Sequence, residues 1–141
     1  MRIMGLDVGS VTIGVSVSDP LGWTAQGLET IRHTTREKDF QRLGELVKQY
    51  GVERFVIGKP LNMDGSKSVR CEQTEKFAAE LQEAFPDIPQ DWWDERLTTV
   101  MAQKALIAAD VSRGKRKKII DKMASVAILQ GYLDRQAMMK R

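Results

Sequence analysis

Cysteine and histidine are nearly absent from this chain. Among its 141 residues there is one cysteine, Cys71, and one histidine, His33. A single cysteine cannot form an intramolecular disulfide, and one imidazole with one thiol cannot provide the ligands of a structural zinc site. The chemistry of this protein must therefore be sought in other side chains.

Long apolar runs are also missing. No apolar stretch approaches the ~20 residues that a membrane-spanning helix needs. The N-terminus enters a strand pattern at once and lacks the layout of a signal peptide. We therefore expect a cytoplasmic protein with no membrane partner. A chain of 141 residues fits a single domain, 1–141, with a core of its own.

Positive charge is scarce in most of the chain and concentrated near its end. Residues 1–110 hold 13 Lys/Arg and 17 Asp/Glu, a net charge of −4, whereas residues 111–141 hold 9 Lys/Arg and 2 Asp, a net charge of +7. A basic block of this kind is often a solvated loop, but it also favours polyanions. Its position directly before Asp121 favours a role in nucleic-acid binding. The basic residues of this block are Arg113, Lys115, Arg116, Lys117 and Lys118.

Hydrophobic periodicity predicts an α/β protein. Three segments, 2–8, 12–18 and 23–31, predict strands that are joined by short connections and therefore lie antiparallel. Helices and strands then alternate. The later predicted elements are a helix ended by Tyr50-Gly51, a strand at 54–58, a helix at 68–85, a strand at 90–95, a helix from Thr98 or Thr99 to about Ala109, a basic loop at 110–118 and a final helix at 118–137. This order predicts a mixed sheet of five strands, three antiparallel and then two parallel, with helices on both faces.

Asp7 stands at the tip of the first predicted strand and is closely followed by Gly9. Burying an unpaired carboxylate costs several kcal/mol, so a partner is expected. In sheets with parallel strands, ligands gather beyond the carboxyl ends of the strands, and Gly9 lets a ligand approach the backbone. The alternative is that Asp7 caps its own turn.

Two further acids stand at comparable junctions. Glu95 closes the predicted strand 90–95, and Asp121 lies in the first turn of the final helix, where the helix dipole alone favours an acid. Successive side chains on a strand point to opposite faces, so only one of Asp94 and Glu95 can join Asp7, and strand parity leaves the choice open. Three acids on separate elements offer hard oxygen donors, which suit Mg²⁺ or Mn²⁺. Two such ions can promote hydrolysis of a phosphodiester.

The loop after the strand at 54–58 carries side chains suited to phosphate groups. Lys59, Asn62 and Ser66 can hold phosphates by charge and by hydrogen bonds. The segment is not a Walker loop, because the Gly-x4-Gly-Lys-Ser/Thr pattern is absent. The three tryptophans are predicted to pack in the core rather than to stack on bases: Trp23, Trp92 and Trp93.

Four segments, collinear along the chain, resemble the YqgF/RuvX family, described as Holliday-junction-resolvase-like or as pre-16S rRNA nuclease, with an RNase H-like fold. The first segment alone also resembles the phosphate loop of actin-like ATPases and sugar kinases, but those proteins contain two related domains, which 141 residues cannot hold. The segments that carry the resemblance are 4–10 (MGLDVGS), 58–65 (GKPLNMDG), 94–99 (DERLTT) and 121–127 (DKMASVA).

The resemblance implies a metal-dependent nuclease with Asp7, Glu95 and Asp121 as carboxylate ligands, and it favours Glu95 over Asp94. The implied substrate is structured RNA, with 5′-end processing of pre-16S rRNA in ribosome biogenesis as the task and ribosomal particles as partners. Branched DNA, in the form of a four-way junction, is the alternative substrate. A non-catalytic nucleic-acid-binding module is the alternative class.

The chain departs from the better-characterised junction resolvases at one position. The resemblance implies that those enzymes place a glutamate at the end of the strand equivalent to 54–58, where this chain has Gly58. The acid comes one strand later here, at Glu95. Junction resolvases also act as dimers on a two-fold-symmetric substrate; for this chain we expect a monomer or a weak homodimer.

Overall fold

The computed structural model describes residues 1–96 and 113–139, with side chains described for 1–96 and 123–139. Its strands form one sheet in the order β3-β2-β1-β4-β5. β2 is antiparallel to both β1 and β3, whereas β4 is parallel to both β1 and β5. The predicted mixed sheet is confirmed. The described elements are β1 (Arg2–Val8), β2 (Thr12–Ser18), β3 (Ala25–Arg32), α1 (Arg36–Tyr50), β4 (Val52–Lys59), α2 (Val69–Ala84), β5 (Gln90–Asp94) and α3 (Arg113–Met139).

Different helices cover the two faces of the sheet. The larger apolar cluster lies between the sheet and the helices α1 and α2. A smaller cluster lies under α3 and consists of Ile3, Val56, Ile128, Leu129, Tyr132 and Leu133. Because side chains alternate along a strand, the odd-numbered residues of β1 and the even-numbered residues of β4 face α3. Asp7 and Gly58 therefore belong to the α3 face.

Side-chain caps fix the starts of α1 and α2. The hydroxyl groups of Thr35 and Ser68 each accept a hydrogen bond from the backbone amide three residues further on. Each cap satisfies an amide that the first helical turn leaves free. α1 ends at Gly51, whose φ of 65° lies in the left-handed region that glycine adopts at low cost. The cap at Ser68 sets the beginning of α2 over the carboxyl ends of the parallel strands.

Helix α3 packs closely on the sheet at Gly5. A Cβ atom at Gly5 would lie 2.5 Å from Ser16 Oγ, 2.8 Å from Leu129 Cβ and 3.0 Å from the carbonyl oxygen of Ser125. The buried Ser16 hydroxyl donates a 2.7 Å hydrogen bond to that same carbonyl. Glycine leaves the space for this approach, and the hydrogen bond fixes the position of the helix along the strands.

The prediction of a basic loop at 110–118 is wrong from Arg113 onwards, because α3 begins there. Lysine and arginine are good helix formers, and this preference prevails over the mutual repulsion of their charges. Residues 110–112 and the helix predicted up to about Ala109 lie outside the described residues. No helix in the described part of the chain is both long and apolar enough to cross a membrane.

The prediction that all three tryptophans pack in the core is also wrong. Trp93 packs against α3, where a Cβ at Gly131 would lie 2.6 Å from the Trp93 ring. Trp23 is 67% exposed and Trp92 is 38% exposed. Trp23 lies in the turn between β2 and β3, and Trp92 lies on the edge strand β5, on the side away from α3. In a turn and on an edge strand, few neighbouring residues are available to bury the indole rings of Trp23 and Trp92.

Candidate active site

Asp7 and Glu95 meet at the carboxyl ends of the parallel strands. The Asp7 side chain, near the end of β1, is 15% exposed. Glu95, directly after β5, is 8% exposed. The two carboxyl groups are close enough for hydrogen bonding between them to raise the pKa of Glu95. The structure thus brings two of the three predicted acids together.

The surroundings of Glu95 favour its protonated form. Burial is the main cause that raises its pKa from 4.5 to about 8, and the hydrogen bond with Asp7 and the Asp7 charge act in the same direction. The positive charge of Arg70 acts in the opposite direction. Two carboxylates that share a site resist ionising together. A divalent cation can take the place of the shared proton, and the oxygen donors of this pair fit Mg²⁺ or Mn²⁺.

Asp94 lies on the other face of β5. Asp91 accepts a hydrogen bond from the Tyr132 hydroxyl of α3, and Trp93 packs on the same helix. Because side chains alternate, Asp94 points away from α3. It forms an ion pair with Arg96 at 2.6 Å between Oδ2 and Nη2, and hydrogen bonding to Arg96 lowers the pKa of Asp94. Of the two adjacent acids, Glu95 is the one beside Asp7.

Gly58 provides the space in which the Glu95 side chain lies. A Cβ atom at position 58 would be 2.8 Å from both Cγ and Cδ of Glu95 and 2.5 Å from Cδ1 of Ile128. The glutamate that the resemblance places at the end of this strand in other resolvases is therefore incompatible with Glu95 in its present position. Because Gly58 has no side chain, the Glu95 carboxyl can occupy the space at the end of β4.

Sequence reasoning missed Arg70. This residue lies in the first turn of α2, and its Nη2 atom is 3.4 Å from Oδ1 of Asp7. About half of its side chain is exposed, so it faces both the carboxyl pair and the solvent. Arg70 could have been proposed from the sequence because it follows directly after a loop suited to phosphates and lies at the start of a predicted helix.

The loop predicted to contact phosphates follows β4, whose last residue points to the face of the sheet opposite the carboxyl pair. Lys59 ends β4, and its Nζ atom is 5.5 Å from the centroid of the Trp92 ring. Asn62 donates a 3.0 Å hydrogen bond to Ser66 Oγ, and the Ser66 hydroxyl donates in turn to Asp64 at 2.6 Å. Asn62 and Ser66 thus hold the loop in its turn, and their contact with nucleic acid stays a prediction.

Asp121 and the basic residues at 113–118 lie in α3, but their side chains fall outside the described residues. The helix backbone places Asp121 one turn before Ser125, whose carbonyl is bonded to Ser16. Among the side chains described, no three metal-ligating groups come together. Asp121 as the third ligand therefore stays a prediction, as does the basic run as a nucleic-acid contact.

Comparison with known proteins identifies the relatives of this chain. The model of the RuvX family, described as Holliday junction resolvase, matches residues 1–135. A protein of Desulforamulus reducens is 60% identical over 134 residues, which cover 95% of this chain and 97% of the relative. A protein of Bacillus subtilis is 55% identical over 136 residues, which cover 95% and 98%. Both relatives bear the name "Putative pre-16S rRNA nuclease".

Solved structures show which fold the chain shares. RuvC of Thermus thermophilus, in complex with a Holliday junction substrate, superposes with a TM-score of 0.60 at 14% identity, covering 96% of both chains. The yeast mitochondrial Holliday junction resolvase gives a TM-score of 0.57 at 14% identity, covering 98% of this chain and 80% of the other. At such identities the likeness concerns the fold, which is RNase H-like. With its family match and close relatives, the chain belongs to the YqgF/RuvX family of nucleases.

Proposed function

We propose that this protein is a Mg²⁺- or Mn²⁺-dependent endonuclease that hydrolyses phosphodiester bonds in structured RNA and processes the 5′ end of pre-16S rRNA. The observation that carries the proposal is the buried carboxyl pair of Asp7 and Glu95 at the strand ends. A pair that needs a shared proton is poorly suited to stability and well suited to a divalent cation. The names of the relatives support the RNA substrate, and ribosomal particles in the cytoplasm are the proposed setting.

Each residue of the site has a proposed role. Asp7 binds the metal from the end of β1, Glu95 binds it from β5 after losing its proton, and Asp121 completes the set from α3. When bound, the ions supply an activated water and stabilise the charge that develops in phosphodiester hydrolysis. Arg70, which contacts Asp7, and Lys59, at the end of β4, hold the nucleic-acid backbone by its negative charge.

Cleavage of a labelled pre-16S rRNA leader by the purified full chain with Mn²⁺ tests this proposal. Asp7→Asn and Glu95→Gln are expected to slow cutting by at least ~100-fold, since several kcal/mol of transition-state stabilisation depend on the ligands. Asp94→Asn is the matched control, because Asp94 points away from the site, and it should retain cutting. A wild-type protein that leaves the leader intact, or an Asp7→Asn variant that cuts at the wild-type rate, would refute the proposal.

A four-way DNA junction is the second candidate substrate. It is supported by the family description and by the fold shared with RuvC. Parallel assays with one preparation, on labelled junctions and on the rRNA leader, separate the two substrates by their relative rates of cutting. A non-catalytic binding module would instead bind both without cutting either, and its binding would survive Glu95→Gln in the absence of metal.

A further inference from the structure

A cavity of about 460 Å³ opens beside the turn that follows Asp7. The turn residues 8–10 form one wall, the start of α1 forms the second, and α2 forms the third. The polar side chains that line the cavity include the cationic groups of Arg36 and Lys76 and the amide of Gln73.

The two cationic groups differ in their contacts. Lys76 is exposed and forms no ion pair with any described residue. Arg36 pairs with Glu80, and its guanidinium lies 4.9 Å from the centroid of the Phe77 ring, so its direction is fixed by contacts on two sides. The cavity therefore combines one uncommitted cation with one that is held in place.

The acidic residue of the cavity is buried and hydrogen-bonded. Asp39 is 3% exposed, and its Oδ2 atom lies 2.8 Å from Nδ1 of His33. Its Oδ1 atom accepts a 3.3 Å hydrogen bond from the backbone amide of Thr34. The other ring nitrogen of His33 lies 2.9 Å from the carbonyl oxygen of Gly9. Both carboxyl oxygens of Asp39 and both ring nitrogens of His33 are therefore engaged within the wall of the cavity, which leaves the two cationic groups and the amide to meet a ligand.

Helix α2 leads from the carboxyl pair to the cavity. Arg70, which contacts Asp7, is followed at three and six residues by Gln73 and Lys76, and the latter two line the cavity. These steps correspond to ~4.5 Å and ~9 Å along the helix axis. A strand whose scissile phosphate lies at Asp7 would thus bring a neighbouring phosphate within reach of Lys76.

We propose that this cavity is a second phosphate-binding subsite, which holds a phosphodiester group of the same strand close to the bond that is cut. The proposal rests on the proposed function for its link to cutting. Its own basis is the cluster of cationic and amide donors around a cavity whose acid is already paired, which is the chemistry that contacts to phosphate oxygens use.

Binding of short fluorescent single-stranded RNA to the full chain, without divalent metal, tests the subsite. Lys76→Gln is expected to weaken binding by about threefold to tenfold and to lower the slope of log K against log salt by about 1, as the loss of one phosphate contact predicts. Lys48→Gln is the matched control: Lys48 is also an exposed helical lysine, but it lies in the last turn of α1, ~18 Å along the helix from Arg36. It should bind like the wild type. A DNA oligonucleotide of the same sequence, run in parallel, shows which backbone the subsite accepts.

A neutral methylphosphonate, introduced at one phosphate after another, locates the contact. At one position, the methylphosphonate should weaken RNA binding by the wild type as much as Lys76→Gln does. The same methylphosphonate should not weaken RNA binding by the Lys76→Gln variant further. The subsite is overturned if Lys76→Gln binds and responds to salt like Lys48→Gln, or if no position shows this non-additivity. Because binding is measured without metal, a chain that fails to cut RNA but shows the Lys76 effect refutes the nuclease proposal and keeps the subsite. A chain that cuts RNA normally but shows no effect of Lys76→Gln on binding supports the nuclease proposal and refutes the subsite.

Discussion

Glu95 occupies the space that any side chain at position 58 would need. The two residues lie at the ends of neighbouring parallel strands, and a Cβ on Gly58 would approach the Glu95 side chain to 2.8 Å. The site therefore has room for a carboxylate from the end of β4 or from the residue after β5, but not for both. This chain places the carboxylate after β5, and Gly58 is needed at the end of β4 to leave space for it.

Gly58→Ala is expected to impair metal binding more than folding. The new methyl group displaces Glu95 and Ile128, which should lower the affinity for Mn²⁺ by about 10-fold to 100-fold, the range found when groups that orient ligands are changed. The free energy of unfolding should fall by about 1–3 kcal/mol, as for other overpacked sites. Calorimetric titration with Mn²⁺ and urea unfolding measure the two effects.

Gly44→Ala provides the control for this substitution. Gly44 lies inside α1, and a Cβ there would meet the Phe85 ring at an ordinary contact distance of 3.5 Å. Alanine should stabilise the helix by about 0.5–1 kcal/mol and leave Mn²⁺ binding unchanged. Wild-type Mn²⁺ affinity in Gly58→Ala would contradict the role assigned to Gly58.

The metal-free protein is expected to lose stability as the pH rises from 5 to 9. Burial raises the pKa of Glu95 from 4.5 to about 8, so between these values the folded state keeps a proton that the unfolded state has released. The resulting stabilisation is complete below pH 4.5 and is lost as the pH rises through 8. Glu95→Gln keeps the neutral form at every pH. Urea unfolding at pH 5, 7 and 9 should show a decline for the wild type that is markedly smaller for the variant; parallel declines would argue against a buried protonated Glu95.

Metal binding should depend on pH in the opposite direction. A ligand must lose its proton before it binds a cation, so the affinity for Mg²⁺ should increase with pH up to about 8, the raised pKa of Glu95, and then level off. Below that pH, binding should release up to one proton. Calorimetry in two buffers of different ionisation enthalpy counts the protons, and Asp87→Asn, at an exposed acid in the turn before β5, serves as the control that keeps the wild-type behaviour. Proton release that is equally large in Glu95→Gln would assign the proton to another group.

Gly5→Ala is expected to destabilise the fold through α3. The added methyl group would meet Ser16, Leu129 and the backbone oxygen of Ser125 at 2.5–3.0 Å, and backbone cannot yield as a flexible side chain does. We expect a loss of about 3 kcal/mol in the free energy of unfolding. Ser16→Ala, which only removes the hydroxyl that bonds the Ser125 carbonyl, should cost about 1–2 kcal/mol. Urea unfolding ranks the two variants, and an equal or reversed order would show that α3 is held elsewhere.

The strands could be predicted from the sequence because their signals are local. The apolar and alternating runs at 2–8 and 12–18 gave the bounds of β1 and β2 as the structure has them. The choice between Asp94 and Glu95 could not be made in that way. It depends on which face of β5 the last helix covers, and the contact that decides it, from Tyr132 to Asp91, joins residues 41 positions apart.

Arg70 and the cavity beside it escaped prediction for a related reason. A helical pattern tells which residues share a face, but it does not tell where the helix begins relative to the strand ends. The exposure of Trp92 could not be predicted either, because only the strand order shows that β5 is an edge strand. The helical state of the segment from Arg113 depended on a balance between charge repulsion and helix propensity, which the residue types alone left undecided.

The hydrogen bond between Ser16 and Ser125 spans 109 positions of the chain, and this separation has a consequence for the order of folding. Contacts between distant segments close late, because the entropy of a long loop must be overcome first. Asp7 is made early in synthesis and Glu95 much later, and the face on which they meet is covered only when α3 docks on Gly5. A chain still emerging from the ribosome therefore lacks the complete candidate site, which is finished only when the last helix has docked.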